Sequence, residues 1–291
     1  MTTSTTGPTR TRARSARRPR TRGNSILLTS GLAIALAAVL VPFYWLVIAS
    51  THTSQEIFDS PPPLLPGGHL MDNISALQET VSFGRVVLNS LLIAVLYTVC
   101  AGAVCTLAGY AFAKYRFKGR EALFGLIMLG LVIPNQVTLV PLFKLMADLE
   151  WLNTYQAVIM PNLALPFGIF LMRQSMDALP DELLDSGRMD GCGEFRLFAQ
   201  IVLPPMKPAL AALGIFLFLY QWNDFIWPLI VLRDNVSFTL PVALASLQGV
   251  DDTDYGALLT GTAIAAIPMA VVFLALQRHF VSGLLAGAVK E

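Results

Sequence analysis

The sequence predicts an all-α, polytopic membrane protein with six transmembrane helices and one large loop between the fourth and fifth. Three observations predict it. The 291-residue chain is 55% hydrophobic and only 13% charged, with a mean hydropathy of +0.61, against about 25% charged residues in a typical soluble domain. Its apolar residues gather into stretches near the roughly 20 residues that cross a 30 Å hydrocarbon core as a helix. Its basic residues alternate between the connections in the manner of the positive-inside rule. Disorder, collagen-like repeats and a disulfide-stapled secreted scaffold are excluded by the same composition.

Residues 1–24 form a basic arm rich in Arg, Thr, Ser and Pro. The apolar run behind it is about twice the length of a signal-peptide core, so the arm reads as a disordered cytoplasmic segment that orients the first span. No folded nucleic-acid reader accompanies it. Residues 25–291 form the transmembrane domain. The spans fall at about 25–50, 86–113, 122–143, 155–172, 208–232 and 256–277, and the large loop at 178–204. Seven arginines precede the first span, four basic residues join spans two and three, four follow span four, and two close the chain; only Arg85, Lys144 and Arg233 fall on the opposite side. Both termini are therefore expected in the cytoplasm, as an even number of spans also requires.

Prolines are placed to interrupt spans three to six: Pro134 and Pro141 in the third, Pro161 and Pro166 in the fourth, Pro228 in the fifth and Pro268 in the sixth. Each removes a backbone hydrogen bond, and the freed carbonyl needs protein or water beside it. Broken helices beside polar residues mark transport pathways in many membrane proteins; kinked packing is the plainer account of any one proline.

In the loop, Pro180 with Asp181 and Glu182 suits a helix start. Gly191 and Gly193 break the chain, and Pro204 ends a second short helix. Leu183, Leu184 and Met189 place apolar surface on this segment, which then needs a docking partner.

Leu179-Pro180-Asp181-Glu182-Leu183, then Asp185-Ser186-Gly187, Asp190-Gly191 and Leu203-Pro204 together resemble the EAA loop of permease subunits of bacterial ABC importers. Gln221-Trp222-Asn223-Asp224-Phe225-Ile226-Trp227-Pro228 is similar to a signature of the maltose-type, carbohydrate branch of that family. Leu88-Asn89-Ser90, Gly109 to Lys114 and the tail from Phe280 to Lys290 resemble other segments of the same branch. The resemblance runs from the first span to the end. It implies a coupling loop, with Glu182, Leu183, Asp185, Ser186, Gly187, Asp190, Gly191, Leu203 and Pro204 meeting a separate ATP-hydrolysing subunit. It implies no cofactor on this chain, with ATP and magnesium on that partner. It also implies a second, different permease chain, an extracellular solute-binding protein, and a place in the bacterial inner membrane among its lipids. The implied function is uptake of a sugar or related polyol. Glycerol phosphate or another non-sugar solute is the alternative, and a self-contained secondary transporter a more distant one. One departure stands out: Asp185-Ser186-Gly187 replaces the family's acidic-Ala-Ala triplet, which costs about 1–1.5 kcal/mol of helix propensity.

For the substrate pathway the candidates are polar or aromatic residues inside spans: Asn223 and Asp224 with Trp222 and Trp227, Asn135 and Gln136 after Pro134, and Asn162 after Pro161. An ionisable group within a span is a functional candidate. The tryptophans equally suit an interfacial belt, and the amides suit interhelical hydrogen bonds. Outside, Glu56, Asp59, Asp72, Glu79, Asp251, Asp252 and Asp254 offer an acidic surface to a binding protein or to solvent. The sequence carries no phosphate-binding Gly-x-x-x-x-Gly-Lys-Ser/Thr loop and no zinc-protease or serine-elbow motif, so it reads as no enzyme on its own. Cys100, Cys105 and Cys192 lack metal-ligand spacing and read as small hydrophobes.

Overall fold

The computed structural model describes residues 22–249 and 253–288, with side chains described from 28 to 277. The basic arm up to residue 21, Asp251, Asp252 and the side chains of the C-terminal tail lie outside the described residues. No strand occurs among those described. The helices are α1 (Arg22–Ala49), α2 (Ser54–Ile57), α3 (Leu70–Val81), α4 (Phe83–Lys114), α5 (Arg120–Leu129), α6 (Asn135–Asp148) and α7 (Tyr155–Ile159). They continue as α8 (Pro166–Asp177), α9 (Asp181–Met189), α10 (Glu194–Leu197), α11 (Lys207–Trp222), α12 (Ile226–Val231), α13 (Leu240–Ser246) and α14 (Tyr255–Ala288).

The chain divides into two units, Met1–Trp45 and Leu46–Glu291. In the first, Leu32, Ile34, Leu36, Val39 and Val41 of α1 are all exposed, as a lipid-facing helix requires. The second unit is built around α4, whose 32 residues extend about 48 Å at 1.5 Å per residue.

Among the described residues, three stretches are long and apolar enough to cross a membrane as single helices: Leu28–Ala49, Phe83–Lys114 and Tyr255–Gln277. Two more pass as bent pairs, Tyr155–Asn162 with Pro166–Asp177 at 46° and Glu194–Val202 with Pro204–Trp222 at 43°. The expected third span divides into α5 and α6, of 10 and 14 residues, neither of which crosses alone. Between them the backbone opens at Pro134, which is extended and precedes α6.

The prolines therefore act unequally. Pro134, Pro161 and Pro166 sit at helix breaks or starts, whereas Pro141 and Pro268 lie inside continuous helices. The fifth predicted span breaks at Asn223–Phe225, ahead of Pro228. Pro228 occupies the first turn of α12, where its missing N–H has no helical partner to lose.

Two packed cores hold the second unit. One gathers Ile93, Tyr97, Cys105, Met172, Met176, Leu197, Leu213 and Leu217 around the crossing of α4, α8 and α11. The other joins Leu77, Phe83, Val86, Phe218, Trp222 and Leu240 beneath α14. Where α4 and α8 cross, a Cβ on Gly109 would meet the Met172 Cβ at 2.5 Å, and one on Gly168 would meet the Cys105 sulfur at 2.7 Å. Small residues on each helix thus admit the other's backbone.

Near the Phe83 end of α4, Asn89 donates to the carbonyls of Val236 and Phe238 at 2.9 and 3.2 Å and accepts from the Tyr155 hydroxyl at 2.7 Å. Ser90 accepts from the Leu240 N–H at 2.6 Å. Asn89→Leu leaves the Tyr155 hydroxyl and two carbonyls unpartnered. At about 1–3 kcal/mol per stranded group, the variant is expected to melt several degrees lower in detergent.

Candidate translocation cavity and coupling segment

Two regions gather the polar residues: a cavity between α6, α11 and α12, and a knob at the Lys114 end of α4. The cavity has a volume of about 550 Å³ and is lined by Asn135, Gln136, Thr138, Leu139, Leu142, Asn162, Leu219, Tyr220, Asn223, Asp224, Phe225, Ile226 and Trp227. Helix breaks place its polar groups. Asn135 and Gln136 open α6 directly after the extended Pro134. Asn162 closes the short 3-10 turn before α8. Asn223 and Asp224 occupy the break between α11 and α12.

Residues separated by 88 positions thus meet around one space. Asn135 faces the Tyr220 hydroxyl across it. Behind the wall, Tyr97 of α4 stacks on Tyr220 at 6.0 Å and donates to the Asn162 carbonyl at 3.1 Å. Trp227 is 4% exposed and donates to the Ala157 carbonyl at 2.9 Å, so it offers one edge to the cavity and anchors α12 to α7.

Trp222 does not join this group. Its ring stacks on Phe218 at 5.6 Å and its N–H donates to the Ala265 carbonyl, which turns it toward α14 and the second core. The Trp222 indole is a packing residue, because α11 presents positions 218 and 222 to α14 while positions 219 and 220 face the cavity. Tyr220 was legible in the sequence and overlooked. It lies four residues before Asp224, one helical turn away in the expected continuous span.

At the knob, α9 begins after Pro180, with Asp181 and Glu182 in its first turn. It ends in a Schellman turn: the Gly191 N–H donates to the Arg188 carbonyl and the Cys192 N–H to that of Gly187, both at 3.0 Å, with Gly191 at φ +77°. Only a residue tolerant of the left-handed region closes a helix this way. Leu184 and Gly187 are buried. Leu184 therefore packs inward, contrary to its expected place on the exposed surface, because α9 turns one face onto Leu197 and Ile201. A Cβ on Gly187 would lie 2.5 Å from the end of Ile201, so glycine in the Asp185-Ser186-Gly187 triplet matches a tight neighbour and α9 remains helical to Met189.

Glu182, Leu183, Asp185, Ser186, Asp190 and Gly191 lie on the exposed face. Met189 at 88% and Phe195 at 84% are the most exposed large apolar residues there; Phe195 was not singled out in the sequence. Leu203 and Pro204 lie at the bend where the helical stretch from Glu194 ends at Val202, as expected of Pro204, and a new segment begins at 43° to it. A π-type segment over Phe198–Val202 and a 3-10 turn over Pro204–Met206 carry the chain into α11. Pro204 and Pro205 supply no N–H, and the Leu203 N–H reaches back to Phe198.

Charges bind the knob internally. Lys114 donates to the Leu179 carbonyl at 2.6 Å and to Asp181 at 2.7 Å. Tyr115 donates to Glu194 at 2.5 Å, and Arg188 bridges Glu194 and Asp185. Lys114 holds the Asp181 carboxyl below its ordinary range. Glu194 is held low by the Tyr115 hydrogen bond and then by Arg188. Both acids thus add stability above their unfolded pKa values, and that stability is lost as pH falls through the lowered folded values.

Three of the five outer acids among the described residues have local partners. Glu56 completes a capping box with Thr53, Asp72 pairs with His69, and Asp254 accepts from Ser54 and from the Ala257 N–H at the start of α14.

Residues 105–285 match the family described as binding-protein-dependent transport system inner membrane component. The chain belongs to this family. It is a membrane-spanning permease subunit of an ABC importer, and its role is transport. The arabinooligosaccharides transport system permease protein AraQ of Halalkalibacterium halodurans is 39% identical over 269 residues, covering 91% of this chain and 96% of that one. The sn-glycerol-3-phosphate transport system permease protein UgpE of Pectobacterium atrosepticum is 34% identical, covering 90% and 96%. The fold matches a chain in the crystal structure of a bacterial ABC transporter involved in alginate import, with a TM-score of 0.77, 20% identity and coverage of 89% and 97%.

Proposed function

We propose that this permease passes an uncharged, hydroxyl-rich solute, a sugar or related polyol, delivered by an extracellular binding protein. One observation carries the reading: among the described residues the cavity lining holds the carboxylate of Asp224, the four amides of Asn135, Gln136, Asn162 and Asn223, and the Tyr220 hydroxyl, and no lysine or arginine. Amides and a carboxylate are donors and acceptors suited to hydroxyls, and Trp227 and Phe225 present apolar ring surface. A phosphate or uronate would meet a partly buried negative charge with no cation to offset it.

The solute enters from outside, and ATP hydrolysis occurs on separate ABC subunits that hold ATP and magnesium. Those subunits dock on the exposed face of α9 and α10, on the cytoplasmic side, where the excess of basic residues in the connections also puts both termini. A second, different permease chain completes the pathway in the bacterial inner membrane. This chain binds no cofactor. Its relatives carry arabinooligosaccharides as well as glycerol phosphate, and the absence of a cation among the cavity residues favours the first.

Uptake of a radiolabelled panel of neutral oligosaccharides, polyols and glycerol 3-phosphate tests the reading in cells lacking the chain. Loss of uptake is expected for a neutral member of the panel and not for glycerol 3-phosphate. Asp224→Asn in the restored chain is expected to lower uptake of that solute by roughly 10- to 150-fold, the loss of a charged hydrogen bond of about 1.5–3 kcal/mol. Selective loss of glycerol 3-phosphate uptake would overturn the assignment.

A further inference from the structure

We propose that Lys114 and Tyr115, consecutive residues at the cytoplasmic end of α4, are positioning residues that grip both arms of the coupling segment and tie its movement to the back wall of the translocation cavity. The proposal rests on the docking role assigned above to α9 and α10.

Lys114 is the more unusual of the two. Its side chain is only 4% exposed, yet it carries an ammonium group at the mouth of a membrane helix. Burial of such a charge is sustained by close partners, and two are present: the Leu179 carbonyl, which precedes α9, and the Asp181 carboxylate in its first turn. Both belong to one arm of the segment. Tyr115, the next residue, reaches the other arm by donating to Glu194, the first residue of α10. Arg188 then closes the ring from α9 to the same Glu194 carboxylate at 3.1 Å. The Tyr115 ring rests edge-on against Tyr110 of α4 at 5.4 Å, so the hydroxyl is carried by the helix and not by a loose terminus.

The same helix meets the cavity. Tyr97 lies 17 residues before Lys114, about 26 Å along the axis, and it is fully buried between Tyr220 and Asn162. Tyr220 and Asn162 both line the cavity. Further along, Asn89 and Ser90 hold the backbone from Val236 to Leu240, which follows α12. α4 is continuous over this whole length, without proline. A displacement of α9 and α10 therefore has a stiff path to two cavity walls, and Lys114 and Tyr115 are its points of attachment. The flexible alternative, the loop Asp190–Gly193, joins only the two arms to each other.

Hydrogen exchange on the assembled transporter tests this, with both permease chains, the ATPase subunits and a nonhydrolysable ATP analogue with magnesium as the probe. In the natural protein, exchange of residues 223–240 is expected to change when the nucleotide is added. In Lys114→Met with Tyr115→Phe that nucleotide-dependent change is expected to shrink at least fivefold, while exchange without nucleotide stays as before and the ATPase subunits still co-purify. Lys114→Arg, which keeps the charge and donors, is expected to restore most of it. A merely structural role would instead raise exchange in the nucleotide-free state. That result, a full response in the double variant, or no response in the natural protein would each overturn the proposal. If Lys114→Met fails to accumulate, Tyr115→Phe alone decides by the same threshold, since it removes one oxygen from a half-buried side chain. The docking role has its own readout: it fails if aspartates at Met189 and Phe195 leave the ATPase subunits bound, whatever the exchange shows.

Discussion

Met189→Asp combined with Phe195→Asp is expected to detach the ATPase subunits from the membrane complex and abolish transport, while the chain still inserts and folds. The two side chains are 88% and 84% exposed, so neither supports the packing of the chain that bears them. Fully burying a Met or Phe against a partner contributes about 1.5–3 kcal/mol each. Losing both removes about 3–6 kcal/mol of binding, a factor of roughly a hundred or more, and the introduced carboxylates add a desolvation cost in any apolar groove. Leu184, at 3% exposure on the opposite face of α9, is the contrasting position: Leu184→Asp is expected to disrupt the knob itself. Co-purification of the ATPase subunits with the tagged permease, with membrane insertion scored by protease accessibility, separates the two effects. Unchanged association in the double variant would remove α9 and α10 from the docking surface.

The contrast between Met189 and Leu184 also shows where sequence reasoning reached and where it stopped. The knob around α9 was legible because its punctuation is local. Pro180, the acidic first turn and Gly191 each act within a few residues, and α9 starts and stops where they direct. Which leucine faces inward was not legible, because it depends on Leu197 and Ile201 arriving from beyond the turn. The cavity follows the same logic. Asn135, Gln136, Asn162, Asn223, Asp224 and Trp227 were selected for being polar or aromatic inside the expected spans, and all six line one space. Trp222 satisfied the same criteria and faces α14 instead, since one residue along a helix turns a side chain by about 100° and the sequence does not say which face meets the cavity. The apolar lengths likewise located the membrane helices but not the opening before Asn135 or the Asn223–Phe225 break. Proline marked the first. The second contains no proline at all, and the only one nearby, Pro228, sits harmlessly in the first turn of α12.

Gly109→Val is expected to have the largest effect on assembly of any single substitution in the membrane helices. The new Cβ would lie 2.5 Å from the Met172 Cβ, 2.9 Å from the Arg173 backbone nitrogen and 3.0 Å from the Met172 carbonyl carbon. A flexible side-chain tip moves aside cheaply, but backbone atoms of a packed helix do not, so α4 and α8 must separate. Gly168 makes the separation costly elsewhere, because it admits the Cys105 sulfur and Leu213 from the other side of the same crossing. Cys105 and Gly109 are one turn apart on α4, as are Gly168 and Met172 on α8; the two notches interlock, and opening one opens the other. Overpacking of a well-packed core typically costs about 1–3 kcal/mol and occasionally more, and here the fully buried residues of the crossing, Cys105, Met172 and Met176, lose contacts together. Gly109→Ala is expected to melt lower by several degrees, and Gly109→Val to accumulate poorly as a monodisperse species in detergent. The functional consequence follows the same path. Spreading α4 from α8 pulls Tyr97 away from the Asn162 carbonyl and from the Tyr220 ring, so the alanine variant should also transport less per assembled complex. Size-exclusion profiles, melting curves and uptake normalised to assembled complex measure the three effects, and normal melting of Gly109→Val would show that the crossing does not hold the fold.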